Sequence, residues 1–190
     1  PRLVREIEAA VKRTKSSPDA QPLAPLPYDP EHVALIKRAL HGVTQEGTSV
    51  RSFASAPYKT GGKTGTAQAI GIKANEKYNA SKIDEYQRDH SLYNAFAPLD
   101  EPTIALAVVV ENAGFGSEAA APIARRVFDY WISGLWPSDE DMAATQIGKS
   151  TGPIGKQRDA KDVLLPGLQG GGFAQSVTTA PGPVALNSKP

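Results

Sequence analysis

The sequence predicts an α+β fold in which helices cover an antiparallel β-sheet. Helical periodicity occurs after residue 30 and again near residue 120, and three strand-like runs lie between these two helices. The connections between the runs are too short for parallel crossovers, which favours an antiparallel meander. Hydrophobic residues make up 40% of the 190-residue chain, enough for a core. We therefore expect one domain over residues 1–136.

The first helix is predicted to begin after Asp29. Asp29 is a typical N-cap residue, Pro30 suits the first helical position, and Glu31 places an acid in the first turn. One face of this helix is apolar at helical spacing, and Gly47 lies beyond its end. The residues of that face are Val33, Ile36, Leu40 and Val43.

Three strands are predicted to follow the helix, over residues 63–72, 91–97 and 103–111. The third is a continuous apolar run, which predicts burial on both faces. Alternation in the first strand places two sets of side chains on opposite faces. One set is Thr64, Thr66, Gln68 and Ile70, and the other is Lys63, Gly65, Ala67 and Ala69.

The last predicted helix covers about residues 118–133 and ends at Gly134. Ile123, Val127 and Trp131 form an apolar stripe that we expect to pack inward, whereas the adjacent arginines at 125 and 126 suit an exposed face.

A tail over residues 137–190 is predicted to be disordered. It holds 8 of the 17 glycines, 6 of the 16 prolines and one aromatic residue, Phe173. Such a segment has too little apolar surface to offset the entropy of ordering it.

Composition excludes several classes of chemistry. The chain has no cysteine, so disulfides, thiolate catalysis and cysteine zinc sites are absent. A net charge of +1 gives no reason to expect a nucleic-acid partner. His32, His41 and His90 have no metal-ligand spacing, and we expect neither a metal nor a cofactor.

The segment Lys63-Thr64-Gly65-Thr66 carries the most informative chemistry. Two threonines two residues apart place two hydroxyls on one side of a strand, and with a nearby ammonium they suit a carboxylate ligand. The intervening glycine keeps bulk away from a ligand, and strand-edge N–H groups can bind a peptide or a developing oxyanion.

Two other interpretations of these residues remain open. A short Lys-Thr-Gly motif also arises by chance, and Lys59-Thr60-Gly61 is a second copy in this chain. In the first interpretation, therefore, the segment is a strand without a binding role. Gly62-Lys63-Thr64 also ends like a phosphate-binding loop, but that loop requires glycine where Pro57 stands and a helix where a strand is predicted.

The run Lys63-Thr64-Gly65-Thr66-Ala67-Gln68 resembles the K-T-G signature of the penicillin-recognising serine transferases and hydrolases. Residues 90–131 resemble the two strands and C-terminal helix that follow this signature in class B penicillin-binding proteins, in the branch linked to cell elongation. The opening PRLVREI resembles the segment leading to the signature. The resemblance implies part of a penicillin-binding, serine β-lactamase-like transpeptidase domain.

The resemblance also implies residue roles. Thr64 and Thr66 would hold the terminal carboxylate of a D-Ala-D-Ala stem peptide or of a β-lactam, and the Thr66 N–H would supply half of the oxyanion hole. Lys63 would keep the pocket positive, and Gly65 would give clearance. No serine in the chain has lysine three residues later or asparagine two residues later, so the family's S-x-x-K and S-x-N elements are missing. We therefore expect a C-terminal portion without its nucleophile.

By the same resemblance, the intact protein would be a D,D-transpeptidase that cross-links peptidoglycan by serine acyl transfer. It would be anchored in the bacterial inner membrane, face the periplasm and work with a membrane glycosyltransferase. A β-lactamase or β-lactam sensor of the same fold is one alternative. A non-catalytic module that binds peptides along the strand edge is another.

Overall fold

The computed structural model describes residues 7–8, 15–16, 27–71, 78–146 and 151–163. Among these residues, no helix combines the length and the apolar character needed to span a bilayer. The helices are α1 (Pro30–Gln45), α2 (Val50–Phe53), α3 (Ala120–Ser133) and α4 (Asp139–Gln146). The strands are β1 (Ile7–Glu8), β2 (Lys15–Ser16), β3 (Gly61–Ala67), β4 (His90–Ala97), β5 (Ile104–Val110), β6 (Leu135–Trp136) and β7 (Arg158–Asp159).

The central sheet has the order β3-β4-β5, and both of its pairings are antiparallel. Thr64 stands opposite Tyr93, which in turn stands opposite Val108. The predicted α+β fold with an antiparallel sheet is therefore confirmed. Two small antiparallel pairs, β1 with β2 and β6 with β7, lie outside this sheet.

Helix α1 begins where the sequence predicts, but its apolar face is largely exposed. The Asp29 carboxylate accepts a hydrogen bond from the Glu31 N–H at 2.8 Å and caps the helix. Ile36 is 58% exposed, because the helix packs on the sheet with its C-terminal half. There Leu40 lies over Gly61, and the buried Thr44 donates to the Thr60 carbonyl.

The hydrophobic core lies on one face of the sheet, under α3. Phe53 of α2 stacks on Tyr93 of β4 with ring centroids 6.0 Å apart, and Phe128 of α3 packs against Phe53. The predicted inward stripe of α3 is wrong: Trp131 is 43% exposed, and Ile123 and Val127 are also exposed. Three alanines and one phenylalanine face the sheet instead, and the alanines let the helix approach closely. The buried residues of that face are Ala120, Ala121, Ala124 and Phe128.

Strand β5 is half-buried on one face and exposed on the other, contrary to the predicted burial on both faces. Its side chains alternate between half-buried and exposed, and Val109 is 62% exposed. Helix α3 covers one face of β5, and nothing in the described ranges covers the other. The apolar run therefore indicates the strand correctly but overstates its burial.

The predicted disorder of the tail is wrong for residues 137–146 and 151–163. Ser138 precedes helix α4, and its hydroxyl accepts the Asp141 N–H at 3.0 Å, while β7 pairs with β6. The composition argument counted apolar surface, whereas this segment is held by buried polar contacts. Residues 164–190 of the predicted tail lie outside the described residues.

The arginines expected on the exposed face of α3 are both buried. Arg125 pairs with Asp129 at 2.8 Å, and Arg126 pairs with Asp141 at 2.6 Å. The pair of Arg125 with Asp129 lies within α3, whereas the pair of Arg126 with Asp141 joins α3 to α4 through charge-assisted hydrogen bonds.

Candidate functional site

Strand β3 carries the Lys-Thr-Gly-Thr segment on the edge of the central sheet. In the described ranges β3 pairs with β4 on one side only. Thr64 and Thr66 stand opposite Tyr93 and Ser91, so their side chains lie on the same face, as the alternation predicted. Thr66 is exposed and Thr64 is half-buried, so neither hydroxyl is lost in a packed interior.

The ammonium of Lys63 donates a hydrogen bond to the carbonyl of the next residue, Thr64, at 2.8 Å. The Thr60 carbonyl likewise accepts from α1, at 2.9 Å from His41 Nδ1. Backbone groups of alternate residues in an antiparallel strand point to the same side. The Thr66 N–H therefore shares the direction of the Thr60 and Thr64 carbonyls, away from β4.

Glycines of the segment are needed for close packing inside the chain. A Cβ on Gly65 would lie 3.1 Å from Leu92 Cβ, and a Cβ on Gly116 would lie 2.6 Å from the Gly65 carbonyl oxygen. The loop before α3 thus packs directly on the strand backbone at Gly65. Clearance for a ligand at Gly65 stays a prediction.

The turn between α1 and α2 contributes a residue that sequence reasoning missed. Thr48 Oγ1 lies 2.8 Å from Thr64 Oγ1. The next residue, Ser49, is buried and contacts the Tyr93 hydroxyl at 3.0 Å. Gly47 was interpreted only as lying beyond the helix, and no local pattern indicated the contact of Thr48 with Thr64, because it joins residues that are 16 positions apart.

A buried polar cluster supports the segment leading into β3. Asp129 accepts from Arg125 Nε at 2.8 Å and from the Tyr58 hydroxyl at 2.7 Å. Arg125 also donates to the Ser52 carbonyl at 2.9 Å. Burial, reinforced by the Asp129 charge, raises the pKa of Tyr58 well above its ordinary value, so the phenol stays protonated and remains a donor.

A surface concavity of about 470 Å³ lies on the sheet face opposite the core. Leu40 of α1 and Lys63 of β3 border it. Its floor is formed mainly by side chains of β4 and β5, namely Asn94, Phe96, Ala105 and Ala107. The side chain of Lys63 therefore borders an open, largely apolar hollow.

Two of the three histidines, His41 and His90, have structural partners in the part of the chain that the structure describes. His41 Nδ1 must donate to the Thr60 carbonyl, because a carbonyl only accepts, and His90 Nδ1 accepts from the Asn112 N–H at 3.0 Å. No group of three or more His, Asp or Glu side chains is placed to hold a metal among the described residues.

Comparison with known proteins defines the class. A family model described as the penicillin-binding protein transpeptidase domain matches residues 1–129. The chain belongs to this family. The match confirms the predicted resemblance to the C-terminal part of a class B transpeptidase domain.

Similar proteins include peptidoglycan D,D-transpeptidases named MrdA. The Haemophilus influenzae protein is 37% identical over 161 residues, which cover 84% of this chain and 23% of that protein. The Escherichia coli K12 protein is 47% identical over 102 residues, which cover 53% of this chain and 16% of that protein. The chain thus spans about a fifth of the length of these relatives.

Among solved structures, Pseudomonas aeruginosa PBP2 in complex with WCK 5153 is similar at 34% identity. The match covers 62% of this chain and 22% of that one, with a TM-score of 0.46. The predicted resemblance to the elongation-linked branch of class B penicillin-binding proteins is confirmed by the MrdA relatives.

Proposed function

We propose that this chain is the C-terminal portion of a penicillin-binding peptidoglycan D,D-transpeptidase that cross-links stem peptides by serine acyl transfer. The observation that carries the proposal is the Lys63-Thr64-Gly65-Thr66 segment on an accessible strand edge, with the ammonium and both hydroxyls near that edge. The interpretation as a phosphate-binding loop is not favoured, because Lys63 and Thr64 lie inside a strand and not at the start of a helix.

The substrate in this proposal is a peptide that ends in D-Ala-D-Ala, or a β-lactam that resembles it. The hydroxyls of Thr64 and Thr66 donate to the terminal carboxylate, and the Lys63 ammonium adds positive charge. The Thr66 N–H points at the oxygen of the scissile carbonyl, where negative charge develops during attack. Removing one such donor costs about 100- to 1000-fold in rate.

The nucleophile must come from a part of the protein outside this chain. A serine hydroxyl attacks the penultimate D-alanine carbonyl, the terminal D-alanine leaves as the amine, and an acceptor amine then takes the acyl group. We further propose an inner-membrane anchor outside this chain, a periplasmic location and a membrane glycosyltransferase as partner.

Labelling of the full-length protein with a fluorescent penicillin tests the proposal. We expect covalent labelling in a one-to-one ratio, and a roughly 10- to 100-fold slower acylation rate for Thr64→Val, because a hydrogen bond to a carboxylate is lost. Thr103→Val is the matched control, since Thr103 lies in an exposed turn and contacts Trp131.

Three results would change the assignment. A full-length protein that binds peptide C-termini but is never acylated would support the non-catalytic peptide-binding module. Rapid hydrolysis of the acyl-enzyme would support a β-lactamase. A stable acyl-enzyme without cross-linking of stem peptides would support a β-lactam sensor.

A further inference from the structure

The hydroxyl of Thr48 is the nearest side-chain partner of Thr64 that the structure records. The two oxygen atoms are 2.8 Å apart, a normal distance for a hydrogen bond between hydroxyls. Thr48 lies on the turn between α1 and α2, sixteen residues before Thr64, and is exposed. The contact thus places a second alcohol beside the proposed carboxylate-binding strand.

Counting protons fixes the direction of this hydrogen bond when a carboxylate is bound. Each hydroxyl has one proton to donate, and a carboxylate only accepts. If Thr64 donated to Thr48, it would present only lone pairs to the ligand and repel it. Thr48 must therefore donate to Thr64, which leaves the Thr64 proton for the carboxylate. Accepting one hydrogen bond also polarises the Thr64 hydroxyl and strengthens the bond that it donates.

The turn that holds Thr48 is fixed on both sides. Before it, the Gly47 N–H donates to the Gly42 carbonyl at 3.0 Å, and a Cβ on Gly47 would lie only 2.7 Å from Val43 Cα. After it, the buried Ser49 hydroxyl donates to the Val43 carbonyl at 3.1 Å and so accepts from Tyr93. Tyr93 stands opposite Thr64 on β4, so the same residue contacts the turn through Ser49 and pairs with the strand at Thr64.

We propose that Thr48 is a positioning residue, which donates its hydroxyl proton to Thr64 and thereby orients the Thr64 hydroxyl toward the substrate carboxylate. The inference rests on the proposed transpeptidase function and extends it to a residue outside the K-T-G segment. The Lys63 ammonium does not compete for this role, because it donates to the Thr64 carbonyl and not to its hydroxyl.

A double-mutant cycle in the full-length protein tests this inference. The acylation rate with a fluorescent penicillin is measured for wild type, Thr48→Val, Thr64→Val and the double variant. We expect Thr48→Val to slow acylation roughly 3- to 10-fold, the range of one neutral hydrogen bond. In the Thr64→Val background the same change should have almost no effect, because the group that it positions is gone.

Thr48→Ser is the matched control that retains the hydroxyl, and it should restore most of the rate. Thr48→Ala provides a second comparison with Thr48→Ser if Thr48→Val destabilises the turn. Equal effects of Thr48→Val in both backgrounds, or no rescue by serine, would overturn the inference. A wild-type protein that is never acylated would overturn the proposed function as well, whereas normal wild-type acylation with no Thr48 effect overturns this inference alone.

Discussion

Changing Asp141 to Asn is expected to release the segment after α3 from the domain. Asp141 is fully buried and holds Arg126 through two hydrogen bonds, at 2.6 Å and 3.1 Å. The variant keeps the shape and removes the charge, which leaves a buried guanidinium with neutral acceptors, the carbonyls of Pro122, Thr151 and Gly152. Breaking such a pair costs about 3–5 kcal/mol, and the backbone carbonyls that still accept from Arg126 favour the lower value.

A cost of about 3 kcal/mol raises the population of the released segment roughly 100-fold. Limited proteolysis measures this population when opening and closing are faster than cleavage. Trypsin cleavage after Lys156, followed by mass spectrometry, should therefore be roughly 100-fold faster in Asp141→Asn.

The matched control is Asp139→Asn on the same helix. Asp139 is 90% exposed, and its pair with Arg158 at 3.1 Å is a surface ion pair worth at most about 1 kcal/mol. Cleavage should rise less than about 5-fold in this variant. Equal cleavage rates for the two variants would refute the conclusion that the buried ion pair holds the segment.

Three further predictions concern stability. Gly42→Ala should raise the free energy of unfolding by about 0.5–1 kcal/mol in urea titrations, because Gly42 lies inside α1 and its Cβ would meet only a flexible glutamate 3.8 Å away; a loss of stability would contradict this. Gly62→Ala should lower the melting temperature, since its Cβ would lie 2.5 Å from Tyr93 Cζ, whereas Gly71→Ala meets nothing within 4 Å and should melt near wild type. Burial raises the pKa of Tyr93 to about 12, above its ordinary value of 10.0, so the stability from its neutral phenol is present below pH 10 and is lost as pH rises toward 12. Unfolding in urea at pH 9 to 11 should show this decline, and an unchanged slope in Tyr93→Phe would contradict the assignment.

The backbone elements of the sheet and the limits of two helices could be predicted because their signals are local. Asp29 caps α1, and Gly134, with φ of 65°, ends α3 in the left-handed conformation that glycine adopts most easily. The alternation of Thr64 and Thr66 follows from strand geometry alone. These features depend on a few neighbouring residues, which the sequence displays directly.

Burial was harder to predict because it depends on what packs against each element. Helix α3 has two apolar stripes, and the stripe with the alanines faces the sheet while the stripe with Trp131 does not. Helical periodicity identifies both stripes but does not indicate which one is buried. Arg125 and Arg126 were predicted to be exposed because charged residues usually are. Both are buried, and the ion pairs with Asp129 and Asp141 offset the cost of burying their charges. Thr48 was missed for the same reason, since its contact with Thr64 exists only after folding.

The contact between Arg125 and the Ser52 carbonyl has a consequence for biosynthesis. The two residues are 73 positions apart, so at about 5–20 residues per second a ribosome makes the guanidinium roughly 4–15 seconds after the carbonyl that it binds. Strand β3 lies between Ser52 and Arg125 in the sequence. It is therefore synthesised before the arginine whose contacts support the segment leading into it.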